Sequence, residues 1–344
     1  MIIARAVGPL RAQITHSTRR SYATSSPGRS NTPLYAALAV GLGLAGWYIT
    51  SNGDVEKVEE KVKSLVAEKK ASDEGLGALG VLIKDAWTPF TLEKVEPYNH
   101  NSKIYTFSFG EEGKQKISGG QVASALLVKT PEGDEEVKDD KGKPVIRPYT
   151  PISPPDLKGS LTLLVKEYKD GKLTPYISSM VPGKDKLLFK GPIPKYKYEP
   201  NTFDQGLCIA GGSGITPMWQ LISHAMEIPG DRTKFTLIFS NVTPKDILLK
   251  EKWDQLAKDH PDRLQVKYVV DKSEKGWSGE TGFVTAPLIS KLFKRQDGEK
   301  VMAFVCGPPP QVNSLAGPKD GPRQGELKGA LKELGYNSDE VYKF

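Results

Sequence analysis

Between Gly206 and Gly307 the sequence alternates short apolar runs with longer amphipathic ones, in the order GLCIAGG, ITPMWQLISHAMEI, KFTLIFS, ILLKEKWDQLAKDH, LQVKYVV, TAPLISKLF and KVMAFVCG. The short runs are strands and the longer ones helices. Strands joined through helices run parallel, and the helices cover both faces of the sheet. The strands are apolar at nearly every position, as burial on both faces requires. This predicts a parallel-sheet α/β domain over 198–344. Such a layout hosts many functions, so function has to be argued from individual residues.

The preceding hundred or so residues read differently. FTLEKVEPYNHNSKIYTFSFG is two strands and a polar turn. ASALLVK, the run ending IRPYTPIS, SLTLLVKEY and KLLFKGP are further strands, closely punctuated by Gly and Pro. This predicts a small antiparallel barrel over 86–197, interrupted by a charged loop from Pro131 to Lys143. A chain of 344 residues accommodates both domains and an N-terminal extension.

That extension holds most of the charge imbalance. Through Gly53 there are Arg5, Arg11, Arg19, Arg20 and Arg29 and no acid, leaving 43 basic and 41 acidic residues in the remainder of a chain whose net charge is +7. A near-neutral body offers no clustered basic face for nucleic acid, and no nucleic-acid partner is expected. Residues 1–30 have the Arg-rich, Ser/Thr-rich, acid-free composition of a mitochondrial presequence; a disordered basic tail has the same composition. Pro33 to Thr50 is uncharged and ends near Trp47 and Tyr48, so 31–50 reads as a single membrane anchor, with a secretory signal core as the rival reading. Residues 51–85 form a charged stalk with Val55, Val58, Val62, Leu65 and Val66 at helical spacing, followed by the Gly-rich hinge GLGALG. The two cysteines, Cys208 and Cys306, are far apart and the four histidines are scattered, so no metal site is expected.

Four motifs carry the chemistry. In Gly211-Gly212-Ser213-Gly214-Ile215-Thr216-Pro217-Met218, glycines between a strand and a helix let backbone N–H groups approach an anion. Thr216 reads as the helix N-cap and Pro217 as its first residue. Pro217 stands where a dinucleotide fingerprint has its third glycine, so a tight turn without a ligand is the alternative. Cys306-Gly307-Pro308 ends an apolar strand, where ligand crevices of parallel sheets lie; a buried structural cysteine reads the same way. Asp271 ends LQVKYVV, placed to bond ribose hydroxyls and repel a 2′-phosphate, or merely to cap a turn. Finally, RPYTPIS (Arg147 to Ser153) puts a guanidinium, a phenol and a hydroxyl on a proline-bounded edge strand, suited to a cofactor or to an ordinary barrel rim.

RPYTPIS, then GKLTPYISSM, GGSGITPM and CGPPP, in this order, resemble the NADH–cytochrome b5 reductase family of the ferredoxin–NADP reductase superfamily, over Trp87 to Phe344. The leader and anchor resemble its fungal mitochondrial form, associated with the outer membrane and the intermembrane space. The resemblance implies an FAD barrel and an NADH domain that pass a hydride from NADH to FAD and then single electrons to cytochrome b5. It implies that Arg147 binds the FAD pyrophosphate, with Pro148 beside it, that Tyr149 packs on the flavin and that Thr150 hydrogen-bonds near its N5. Lys166 would line the FAD site, and Gly171, Lys172, Leu173 and Thr174 would hold the phosphates. Thr216 would lie by the flavin ring, while Gly212, Gly214, Asp271, Cys306, Gly307 and Pro308 would serve NADH. Thr150, Thr216 and Cys306 are the implied catalytic positions. The chain departs from the family's pattern at Thr174 (commonly Ser), Ser213 (commonly Thr) and Gln311 (usually Met).

Overall fold

A computed structural model describes residues 80–133 and 135–344. The targeting segment, the anchor and the stalk up to residue 79 lie outside the described residues. Among the described residues no helix is long and apolar enough to cross a membrane. Within the expected hinge, Gly80 bridges Ile117, and Val81 and Leu82 donate their N–H groups to Ile117 O and Ser118 O.

The first domain is built from β1 (Thr88–Pro97), β2 (Ser102–Ser108), β3 (Ser124–Lys129), β4 (Arg147–Tyr149), β5 (Ser160–Lys166), the helix α1 (Leu173–Ser179) and β6 (Lys186–Pro194). The strands form one antiparallel sheet in the order β4-β3-β6-β1-β2-β5. Its two edges meet just past β4, where Ile152 donates its N–H to Thr162 O of β5 at 2.9 Å, closing the expected barrel. Alternate side chains fill the interior. Phe90, Phe107 and Phe189 are at most 2% exposed and pack with ring centroids 5.1 Å apart around Phe189. Each buried ring is worth about 1.5–3 kcal/mol relative to solvent exposure.

The second domain contains β7 (Gln205–Gly211), α2 (Ile215–Glu227), β8 (Lys234–Asn241), α3 (Lys250–Asp259), β9 (Leu264–Val270), β10 (Glu280–Thr281), α4 (Ala286–Leu292), β11 (Val301–Cys306), α5 (Pro309–Ala316), α6 (Gly329–Glu333) and β12 (Val341–Lys343). Its sheet is parallel, in the order β10-β9-β8-β7-β11-β12. β7 is buried at all seven positions. Cys208 and Ala210 join the cluster with α2 and α3, while Leu207 and Ile209 join that with α4, α5 and α6. The first of these clusters also includes Ile152 and Leu164 of the barrel, so the two domains share one apolar core across their junction.

Two helix starts differ from expectation. Helix α2 begins at Ile215 with Gly214 as N-cap, two residues before the predicted start. The reason is that Gly212–Gly214 already turn as a 3₁₀ helix and feed straight into it. Thr216 therefore lies inside the first turn, its hydroxyl on Ser213 O at 3.3 Å, and Pro217 still occupies a position that needs no intrahelical N–H. Helix α3 begins at Lys250, because Leu249 takes a left-handed φ of 57°. Ile247, Leu248 and Leu249 instead plug the core at 4%, 0% and 1% exposure. Three successive apolar side chains cannot all lie on one face of a helix.

Candidate active site at the domain junction

The nucleotide crevice of a parallel sheet lies beyond the carboxyl ends of its strands. Here those ends bring together Gly211 to Gly214, Asn241, Val270 and Asp271, and Cys306 to Pro308. Gly214 touches β11 directly: a methyl placed on it would fall 2.4 Å from Cys306 O and 2.7 Å from Gly307 N. Two motifs some ninety residues apart in sequence thus form one surface. Gly212, with φ of 50°, faces open space there. Burial pushes the Cys306 thiol up to about 12, the nearby Lys319 opposing this, so the sulfur is a neutral packing group rather than a thiolate nucleophile. Asp271 is exposed, and its N–H bonds Asn241 O.

Sequence patterns gave no sign of Phe283 at this rim. It follows Gly282, whose N–H bonds Val270 O, and it is 80% exposed, a bare aromatic face close in the chain fold to Asp271. A surface pocket lined by Gln205, Lys234, Arg263 and Phe293 lies instead at the opposite ends of these strands and contains none of the motif residues.

On the barrel side, β4 is an edge strand, as its prolines require. Arg147 is exposed, bonded through Nη1 only to Ile146 O at 2.8 Å, and among the described residues no carboxylate lies within ion-pairing distance. Such a guanidinium is open to a pyrophosphate. Tyr149 packs on the barrel core, and its burial raises the phenol well above its ordinary range. Pro148 is exposed between them, and Thr150 is half-buried at the strand's end.

The loop before α1 closes tightly. Gly171 N–H and the Thr174 hydroxyl both bond Tyr168 O, at 2.8 and 3.2 Å, and a methyl at Gly171 would fall 2.7 Å from Thr174 Oγ1 and 2.9 Å from Tyr168 O. Lys172 pairs with Asp140 of the charged loop, and Leu173 is buried as an anchor. An unpaired guanidinium, a half-buried tyrosine and a glycine turn that admits no side chain fit the flavin and phosphates that this rim is expected to hold.

Polar contacts lock the halves together. Gln220 and Trp219 of α2 donate to the carbonyls of Pro151 and Ile152, at 3.0 and 3.2 Å, directly after Thr150. The Tyr168 and Ser213 hydroxyls meet at 3.2 Å, joining the barrel's loop to the glycine loop. Lys166 places its Nζ 3.1 Å from Oδ1 of Asp246 in the second domain. The same oxygen accepts from Asn101 Nδ2 at 2.9 Å, and His100 Nε2 is 3.6 Å away. The other oxygen accepts from the Thr243 N–H and hydroxyl, at 3.1 and 2.7 Å. One carboxylate thus caps its own turn and holds the barrel.

Burial by itself would raise the Asp246 pKa, but the bonds from Thr243, Asn101 and Lys166 outweigh it and hold the group down to about 2. The folded value lies below the unfolded one near 3.8, so its stabilisation is complete above about pH 4 and fades as pH falls through 2. It amounts to about 2 kcal/mol. Urea midpoints at pH 6 and pH 2.5 are therefore expected to differ between wild type and Asp246→Asn by much less at the lower pH; an equal difference at both values contradicts the assignment.

The chain's relatives agree with this division. Residues 89–198 match the family described as "Oxidoreductase FAD-binding domain" and residues 208–316 the family described as "Oxidoreductase NAD-binding domain". The chain is 48% identical over 336 residues to NADH-cytochrome b5 reductase 2 of Mycosarcoma maydis, covering 94% of this chain and 93% of that one. It is 42% identical over 353 residues to the protein of that name from Botryotinia fuckeliana, covering 99% and 98%. The cytochrome b5 reductase domain of Ulva prolifera nitrate reductase has the same fold, with a TM-score of 0.66 at 25% identity over 77% of this chain and 99% of that one. The chain is therefore an oxidoreductase with an FAD-binding barrel and an NAD-binding α/β domain, and it belongs to the NADH–cytochrome b5 reductase family.

Proposed function

We propose that this chain oxidises NADH through a bound FAD and delivers single electrons to the haem protein cytochrome b5. The observation that carries the reading is the juxtaposition at the junction: helix α2, which opens the nucleotide crevice, hydrogen-bonds the carbonyls directly after Arg147, Tyr149 and Thr150. The flavin, when bound, supplies the chemistry, accepting a hydride and releasing electrons one at a time. The protein's part is orientation. Arg147 neutralises the pyrophosphate, with the backbone of Gly171, Lys172, Leu173 and Thr174 supporting it. Pro148 keeps β4 extended, Tyr149 packs against the ring system, and Thr150 offers it a hydroxyl. Thr216, in the first turn of α2, lies by the flavin ring. Gly212 and Gly214 admit the dinucleotide, Cys306, Gly307 and Pro308 line its nicotinamide end, and Asp271 favours NADH over its 2′-phosphorylated counterpart. Lys166, anchored on Asp246, lines the FAD site. No residue need act as acid or base in hydride transfer.

The N-terminal composition supports a placement as well. We infer a mitochondrial chain held by residues 31–50 in the outer membrane, with a processed form in the intermembrane space; the tether raises the local concentration of a membrane-bound acceptor. Resistance of the full chain to carbonate extraction from isolated mitochondria tests this placement.

For the reaction, the purified protein is expected to be yellow, to bleach when mixed with NADH in a stopped-flow instrument, and to recover colour as oxidised cytochrome b5 is reduced. A colourless folded protein that leaves NADH unoxidised overturns the enzyme reading. Bleaching without haem reduction removes only the named acceptor.

A further inference from the structure

Gln311, one of the three departures from the family's pattern, occupies an unusual place in the crevice. It sits in the first turn of α5 and reaches back over the strand ends. Its Nε2 donates to Ser240 Oγ at 2.8 Å, and Ser240 Oγ donates in turn to Ala210 O at 3.1 Å. This chain settles the orientation of the amide. A carbonyl cannot donate, so the serine proton belongs to Ala210 O; the serine oxygen must then accept, and only the nitrogen of Gln311 can face it. Oε1 is thereby turned towards the glycines. A methyl at Gly211 would fall 1.8 Å from Oε1 and one at Gly307 would fall 3.0 Å away, so both positions leave room for that oxygen. Among the described residues, none donates a hydrogen bond to it.

The crevice therefore presents a fixed acceptor between Gly211 and Gly307, beside Cys306. It repels phosphate and calls for an N–H donor. On the reading that the Cys306 segment takes the nicotinamide end of the dinucleotide, the donor at hand is the carboxamide N–H₂ of that ring. We propose that Gln311 is a specificity-determining residue that recognises the nicotinamide carboxamide through Oε1, held in register by Ser240. A methionine at this position has no comparable acceptor. Lost pairing of a polar group discriminates more sharply than lost apolar contact.

The test is equilibrium binding to the FAD-loaded protein by calorimetry, with three ligands. These are NAD⁺, its 3-acetylpyridine analogue, in which a methyl replaces the amide nitrogen, and ADP-ribose, which lacks the ring. Wild type is expected to bind NAD⁺ about five-fold more tightly than the analogue, the effect of one net neutral hydrogen bond. Gln311→Met is expected to bind both alike and to keep its affinity for ADP-ribose. Ser240→Ala, which frees the amide to rotate, is expected to lose part of the preference. The proposal is overturned if Gln311→Met retains the preference, or if it weakens ADP-ribose as much as NAD⁺, since Gln311 would then merely brace the strand ends. If Gln311→Met does not fold, an undiminished preference in Ser240→Ala overturns it. Wild type that binds none of the three ligands overturns the nucleotide reading along with the proposal.

Discussion

Gly214→Ala is expected to cost the fold about 3 kcal/mol and to abolish dinucleotide binding. The added methyl would fall 2.4 and 2.5 Å from the carbonyl oxygen and carbon of Cys306 and 2.7 Å from Gly307 N, all main-chain atoms. Relief requires moving β11, which is in register with β7 from Val301 to Cys306, or tilting α2, whose side chains hold the barrel. Either movement separates the two motifs that form the crevice. Gly211→Ala makes a useful contrast. Its closest obstacle, 1.8 Å away, is the end of the Gln311 side chain, which can swing aside by giving up its bond to Ser240, and the expected cost is about 1 kcal/mol. The two alanines thus distinguish backbone contact from side-chain contact within one loop. Urea denaturation and ADP-ribose titration of both variants provide the comparison. A Gly214→Ala protein with an unchanged midpoint and affinity refutes the account.

Asp246→Ala is expected to destabilise the protein by about 2–3 kcal/mol, more than Lys166→Met. The carboxylate side chain is 6% exposed and that of the lysine 16%. Removing the acid strips Asn101 and the Thr243 turn of their acceptor and leaves the lysine without its counter-charge. Removing the lysine leaves the acid still bonded to Asn101 and Thr243. The double variant should therefore cost less than the sum of the singles, which a double-mutant cycle measures. Amide exchange in the turn from Tyr98 to Ser102 should quicken in Asp246→Ala, because that turn loses one of its attachments to the second domain, while Asn99 Nδ2 still donates to Lys245 O at 3.0 Å. Strict additivity with unaltered exchange excludes the junction role.

The periodicities made most of the architecture legible. The short runs SKIYTFS, beside a polar turn, and GLCIAG, apolar throughout, report strands, and β2 and β7 follow them. The two prolines around Tyr149 marked an edge strand because neither residue can donate to a ladder. Local signals failed where tertiary contact decides conformation. Leu249 adopts a left-handed φ to bury an apolar triplet that a helix would have exposed. Strand β12 has three residues, too few for a period to show. At the site, Arg147, Tyr149 and the glycines were visible as residue types in order. The Asp246 junction was not. Thr243 and Asp246 spell a turn-capping signature, but nothing local reveals that the second oxygen waits for partners 145 and 80 residues away. Gln311 was visible as a departure, whereas its partner Ser240 lies on β8, some seventy residues away.

The attachment of α2 to β4 has a consequence for exchangeability. Gln220 and Trp219 hold the carbonyls of Pro151 and Ile152, which every amino acid possesses, rather than side chains that vary. The grip is thus blind to residue identity but sensitive to register: inserting one residue after Thr150 would carry a different carbonyl to each donor. Barrels borrowed from relatives should dock on this nucleotide domain provided the spacing from arginine to the gripped carbonyls is kept, so chimaeras are governed by chain length at this one corner more than by overall identity.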